Sequence, residues 1–332
     1  MDPLTHTATG LFLGRAGLNR WTPLATPILL LAANAPDVDI VAATGGPLAY
    51  LHYHRHLTHA LAAMPVLAVL VVGLVRLAAR KPVRWPAAFA VALIAVGSHL
   101  LLDLTNAYGV RLLLPFSPRW FEWDLTSVVD LWIWAIILLA VAGPVVGRLV
   151  GAEISSGTIR PRSHGRGFAI FALVFLFFYN GGRAVLHQRA VEVANARLYR
   201  GRPAQRLVAL PNAANPWRWR AVAETGDFYA VADVNLLGEF DPTEAAIFQK
   251  PDPDPAMDAA RQTETFREFL RFSQFPLWRT SPASEPEDAR LVEVMDMRFG
   301  SPLDPAFIAG AVINARLQPI QTWFHFGPVR PR

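Results

Sequence analysis

Six of the nine histidines in the chain precede residue 100. With neighbouring aspartates, five of these six fall in four short segments: THTATG around His6, NAPDVD with Asp37 and Asp39, HRHLTH from His54 to His59, and SHLLLDLTN with His99 and Asp103. Neutral imidazole together with carboxylate is the ligand chemistry of zinc, manganese or iron. The chain has no cysteine, which excludes disulfides and thiolate metal sites.

Spacing makes some of these residues better candidates than others. His99 and Asp103 are four apart and Asn106 is three further on, so on a helix all three share one face. An imidazole and a carboxylate one turn apart can clasp one ion or bridge two; the plain alternative is a polar helix end paired within the protein. Ionisable groups in an apolar helix are costly to bury and are usually functional. His59 follows Thr58 directly before an apolar run, a helix start that would give the ring a fixed direction. His54 and His56 read equally as ligands, second donors, proton shuttles or flexible surface histidines. Arg55 would meet an anionic substrate group or a lipid headgroup. Asp37 and Asp39 follow Pro36, either converging on one centre or simply stopping a helix and capping the next segment. His6 counts only if the N-terminal segment returns it to the same face. Asp130, just before LWIWAIILL, would cap a helix or orient a ligand histidine from behind. Asp124 reads as a loop residue, and His187 and His325 as structural.

The elements that must position these residues are apolar. Over 332 residues the chain is 53% hydrophobic and 17% charged, with a mean hydropathy of +0.28. Four runs approach the length of a membrane-crossing helix: Ala60–Ala79, Pro86–Leu102, Leu131–Gly147 and Gly167–Leu186. Arg76, Arg80, Lys81 and Arg84 lie between the charge-free hearts of the first two, and Arg148, Arg160, Arg162 and Arg166 between the last two. By the positive-inside tendency both linkers face the cytoplasm. His59, His99, Asp103 and Asp130 then all fall at the opposite face, together with everything after the fourth run. The net charge of +5 is explained by topology, so it does not imply nucleic acid. The N-terminus lacks the basic region of a cleavable signal.

Pro3–Leu18 and Thr22–Pro36 read as a helical hairpin, either crossing the bilayer or re-entrant. From about Ala190 the pattern alternates at strand period through RLVALPNAANPWRWRAVAETGDFYAVADVNLL. TETFREFLRFSQF (Thr263–Phe275) reads as an amphipathic helix, and LVEVMDMRFG and PIQTWFHFG as further strands. The expected fold is therefore mainly α: a multi-helix membrane bundle of four spans plus the N-terminal hairpin over residues 1–188. A C-terminal extracytoplasmic α+β domain follows over residues 189–332.

THTATG, PDVD, HRHLTH and SHLLLDLTNAYGVRLLLPFS, in that order, resemble the bacterial LexA-binding, inner-membrane-associated metal-dependent hydrolase family. The resemblance covers roughly residues 1–150. It implies a multi-pass inner-membrane protein with a divalent-metal hydrolase site, and it carries over to His6, Asp37, His54, His59, His99 and Asp103. His56 departs from the pattern, where a small residue is more usual. The HxxxD helix is also similar to that of zinc-dependent phospholipase C, a likeness at the level of fold.

The expected activity is hydrolysis of an ester or phosphoester, of a lipid or envelope precursor, at the membrane surface. Metal ligands would be His6, Asp37, His59, His99 and Asp103, with zinc the first choice. His54, His59 and Asp103 would act in catalysis, and Asp39, Arg55, His56, Asn106 and Asp130 would support them. Membrane lipids and a small-molecule or lipid substrate are the expected partners, and nucleic acid is not; LexA binding does not follow from these residues. The competing expectation is a non-enzymatic metal-binding scaffold whose C-terminal domain binds a partner.

Overall fold

A computed structural model of the protein describes residues 1–154 and 165–326. Arg160 and Arg162 of the second basic linker lie outside the described residues. The chain forms two compact units: Met1–Asp39, Arg55–His187 and Pro211–Pro216 make one, and Ile40–His54, Gln188–Leu210 and Trp217–Arg332 the other.

The first unit is helical. Helix α1 (Pro3–Ala16) starts where the Asp2 carboxylate accepts the backbone N–H groups of Leu4 and Thr5 and proline takes the first turn, satisfying donors that a helix start leaves open. It ends at Gly17, whose φ of 153° suits glycine. Helix α2 (Ala25–Ala32) folds back against α1, so the expected hairpin forms. Gly10 permits the close approach, because a Cβ there would lie 2.8 Å from the Leu29 carbonyl oxygen. At eight residues, α2 is about 12 Å long and too short to cross a bilayer alone. Helices α4 (Met64–Ala79) and α5 (Trp85–Leu104) pack on α2 through Ile28, Leu29, Val72, Val91, Ala92 and Val96.

Three helical stretches are long and apolar enough to cross a membrane: Leu61–Ala79, Trp85–Leu104 and Gly165–Asn195, the last being α7. Helix α6 (Leu131–Ile154) contains the remaining expected span as the shorter apolar stretch Leu131–Gly147, with Pro144 inside it. The outward faces are built for hydrocarbon: Leu77 is 77% exposed and Phe177 75%, which in water would be a severe apolar patch.

The second unit carries the sheets. The short strands β1 (Leu198–Tyr199) and β2 (Arg202–Pro203) pair with each other. Strands β3 (Arg206–Pro211), β4 (Arg218–Glu224), β5 (Phe228–Asn235) and β6 (Ala246–Gln249) form one sheet in that order. A second sheet uses β7 (Pro276–Pro282), β8 (Arg290–Asp296), β11 (Phe307–Ile313) and β12 (Pro319–Phe326) in the order β12-β11-β8-β7, all antiparallel. The small β9 (Gly300–Ser301) and β10 (Asp304–Pro305) pair between them in sequence. Gly310 lies opposite Trp323, whose ring occupies the place of a Cβ, 2.2 Å away.

Helices α8 (Pro255–Arg261) and α9 (Glu264–Phe272) complete the unit, together with α3 (Pro47–Tyr53). Helix α9 buries Phe266, Phe269 and Phe272, three apart on one face. It stops three residues short of the expected end because Ser273 is extended and leads the chain into β7.

Candidate metal centre

Helix α5 presents His99 and Asp103 on one face, both fully buried. Three other segments converge on them: α1 with His6, the start of the 3-10 helix Pro36–Gly45 with Asp37 and Asp39, and the turn Leu57–His59. Asp37, His59, His99 and Asp103 each offer one ligand atom, and all four atoms lie within 4.8 Å of one another.

The separations are specific. His59 Nε2 and His99 Nε2 are 3.2 Å apart. Asp103 Oδ2 lies 3.3 Å from the first and 3.4 Å from the second. Asp37 Oδ1 lies 3.4 Å and 3.6 Å from the same two nitrogens. A tetrahedral ion with bonds of about 2.0–2.1 Å separates its ligands by roughly 3.3–3.4 Å. Five edges of the polyhedron therefore already have the length that one ion would impose.

The outer hydrogen bonds aim both imidazoles inward. His99 Nδ1 is 2.7 Å from the Ala33 carbonyl oxygen; that oxygen can only accept, so Nδ1 carries the proton and Nε2 keeps its lone pair. His59 Nδ1 faces Asp39 Oδ2 at 3.2 Å, a carboxylate–histidine pair of the kind that fixes metal-ligating imidazoles. Asp39 is itself held by the Arg55 backbone N–H at 2.8 Å and the Thr58 hydroxyl at 3.0 Å.

Asp103 divides its two oxygens. Oδ2 faces the four-atom group, buried, with the His59 and His99 Nε2 atoms 3.3 and 3.4 Å away. Oδ1 faces His6 Nε2 at 3.4 Å, Arg55 Nη2 at 2.9 Å and the α-amino group of Met1. His6 thus reaches Asp103 on the other oxygen and stacks on His99 with ring centroids 3.7 Å apart; it lies outside the four-atom group. Arg55 is a buried clamp. Its Nη1 also donates to Asn106 Oδ1 and the Gly109 carbonyl, both at 3.0 Å, so its fork is committed to the protein and not to an incoming anion.

Electrostatics point the same way. Burial alone would push the His59 imidazole down, but its bonds to Asp103, Asp37 and Asp39 raise it to about 10. Three carboxylates around one imidazole call for a cation, supplied by a proton on His59 or by a metal. The donor set of two imidazoles and two carboxylates fits zinc or another divalent first-row ion.

The other expected residues go elsewhere. His54 belongs to the second unit, at the end of α3, where it stacks on Tyr50 at 4.5 Å. His56 precedes the Leu57–His59 turn and its carbonyl accepts the His59 N–H; neither ring contributes to the four-atom group. Asp130 is a helix cap: its Oδ1 accepts from the backbones of Trp132 and Ile133, and Tyr179 donates to both its oxygens at 3.0 Å. Sequence reasoning overlooked the Ala33 carbonyl and the clamping role of Arg55. The first leaves no side-chain signal, while the second was legible only as a charge beside the histidines.

The family model described as YdjM inner membrane protein matches residues 1–190. The chain is also similar to "Uncharacterized protein YfhP" of Bacillus subtilis (strain 168), 30% identical over 157 residues, which is 43% of this chain and 46% of that protein. The chain thus matches about half the length of this curated relative. No solved structure matches. With residues 1–190 of 332 matched, and with three helices fit to cross a bilayer, the chain belongs to the YdjM inner membrane protein family.

Proposed function

We propose that the helical unit is a divalent-metal-dependent hydrolase acting at the membrane surface, with zinc the preferred ion. The observation that carries this reading is the four-atom group of Asp37, His59, His99 and Asp103, five of whose six separations (3.2–3.6 Å) are close to those one tetrahedral ion requires, with both imidazoles held toward it. Asp37, His59, His99 and Asp103 would hold the divalent ion, which would supply a water acidified to near neutrality and a polarised scissile bond. The protein's own residues do the rest. Asp39 and the Ala33 carbonyl orient the two rings, Arg55 and Asn106 fix Asp103, and His6 covers the second oxygen of Asp103. No proton-carrying role is assigned to His54.

The substrate class is an ester or phosphoester of a lipid or envelope precursor, because the ligands cluster at the ends of apolar helices, at headgroup level. The positive-inside tendency assigns this end to the extracytoplasmic side. One fact supports the arrangement. Ile40–His54, which follows Asp37 and Asp39, shares one compact unit with the residues after α7, so both belong to one side of the membrane.

Purified full-length protein should carry stoichiometric metal and hydrolyse generic phosphodiester or lipid ester substrates. The doubly substituted His99→Ala/Asp103→Ala protein should lose both properties. Metal in the wild type without turnover above that variant would favour the non-enzymatic scaffold, and absence of metal after reconstitution would refute the site.

A further inference from the structure

The chain leaves the helical unit directly after Asp39 and re-enters it at Arg55. Both roots of this excursion are residues of the metal centre. Asp37 is a member of the four-atom group and Asp39 faces His59 Nδ1. At the other root, Arg55 ion-pairs with Asp103 at 2.9 Å and its backbone N–H donates to Asp39 at 2.8 Å. That last bond ties the two roots together, and it holds Arg55 at a φ of 55°, a conformation that a non-glycine residue adopts only when its surroundings demand it.

The strap between the roots is fastened in the C-terminal domain. His52 Nδ1 lies 2.7 Å from Glu268 Oε2 on α9, and the other oxygen of Glu268 accepts from Arg271 Nη1 at 2.6 Å. Tyr50 meets the Phe326 ring of β12 edge-on at 5.3 Å and stacks on His54 at 4.5 Å. Helix α3 therefore packs on α9 and β12, elements more than 200 residues distant in sequence (|i−j| = 216 for His52 and Glu268). A 15-residue strap (Ile40–His54) that was free along its length would leave Asp37, Asp39, Arg55 and His59 to find their spacing against chain entropy; instead Pro47–Tyr53 is helical and docked, and Ile40–Gly45 continues the 3-10 helix that carries Asp37 and Asp39.

We propose that the C-terminal domain sets the geometry of the metal centre through this strap, with Glu268 and His52 as positioning residues. The proposal rests on the reading of the four-atom group as a metal site. Coupling of this kind is reciprocal. Filling the centre stiffens the roots of the strap and, through α3, protects α9 and β12, while loosening α9 weakens the centre. It gives the C-terminal domain a role in the chemistry without contributing a ligand.

The test uses the full chain in nanodiscs and follows backbone hydrogen exchange of Asp37–His59, with zinc affinity measured in parallel by chelator competition. Glu268→Gln keeps the shape of the side chain and removes its charge. It is expected to speed exchange at Arg55–His59 in the metal-free protein and to weaken zinc binding by up to about tenfold, the low end for a residue that touches a metal ligand directly, which Glu268 does not. Glu293→Gln, which breaks an exposed pair with Arg279 on the β7–β8 ladder of the same domain, should do neither. Zinc added to the wild type should slow exchange in Glu264–Phe272 and Pro319–Phe326. Unchanged exchange at Arg55–His59 in Glu268→Gln overturns the proposal whatever the zinc affinity. Should Glu268→Gln not fold, His52→Gln removes the same ion pair from the strap side and is judged by the same exchange criterion. A wild type that takes up no zinc refutes the metal reading alone, because the exchange comparison is made without metal.

Discussion

At the scale of residues, Asp103 and His59 are where the centre is most finely set. His59 is raised from its ordinary 6.5 to about 10, its burial outweighed by bonds to Asp103, Asp37 and Asp39. A folded value above the unfolded one means that this contact stabilises the metal-free protein fully below about 6.5 and ceases to do so as pH rises through about 10. A metal ligand must be unprotonated, so metal binding at pH 7.5 should expel about one proton from His59, and affinity should climb about tenfold per pH unit toward 10. Calorimetry in buffers of differing ionisation enthalpy measures the proton directly; zero release would show that His59 is not displaced from its protonated state. Arg55 supplies a second prediction. It is buried and donates to Asp103, Asn106 and Gly109, so Arg55→Ala strips a buried carboxylate of one of its cationic partners, the Met1 amino group remaining, a loss of up to about 3 kcal/mol. Thermal unfolding should show most of that loss in chelator and less of it in zinc, since the metal neutralises the same carboxylate. Equal losses in both conditions would mean that Asp103 takes no part in binding metal.

At the scale of elements, the α1–α2 hairpin depends on one missing side chain. A Cβ on Gly10 would stand 2.8 Å from Leu29 O and 3.0 Å from the Ala33 Cβ, and Ala33 carries the carbonyl that orients His99. Gly10→Ala should therefore cost about 1–3 kcal/mol by overpacking and reduce metal content. Gly73→Ala in α4, where an added Cβ meets nothing within 4 Å, should be neutral or gain up to about 1 kcal/mol from helix propensity. A Gly10→Ala protein that melts with wild-type cooperativity and carries full metal would contradict the packing argument. The sequence showed these helices because long apolar runs mark spans, and it showed His99 with Asp103 because a four-residue interval has only one meaning on a helix. Other elements were illegible for equally physical reasons. FIAGAVI in β11 is apolar at nearly every position and has no period-two signal to read. Helix α3 is seven residues long and its docking on α9 is a contact that no local pattern encodes. The PDVD motif disclosed two carboxylates without disclosing that they divide the work, Asp37 facing the imidazole Nε2 atoms and Asp39 standing behind His59.

At the scale of the whole molecule, the question is which side of the membrane the chemistry faces, and the absence of cysteine makes that question answerable with single introduced thiols. Arg76 in the last turn of α4 gathers with Arg80, Lys81 and Arg84 of the α4–α5 linker, at the ends of these helices remote from His59, His99 and Asp103. If they face the cytoplasm, a thiol at Lys81→Cys, an exposed position, should escape a membrane-impermeant maleimide in intact cells and react once the cells are opened. Asp258→Cys, at a side chain 77% exposed in the C-terminal domain, should react in intact cells. Thr44→Cys, exposed in the strap, provides the decisive comparison. Because Ile40–His54 and the residues after α7 form one compact unit, Thr44 and Asp258 must be labelled from the same side, whichever side that is. Reversal of all three reactivities would invert the protein and place the candidate metal centre, and the hydrolysis proposed for it, on the cytoplasmic side. Labelling of Thr44 and Asp258 from opposite sides would be graver: α3 could then not dock on α9, and Asp37 and Arg55 would lose the common anchor that holds them at their observed spacing.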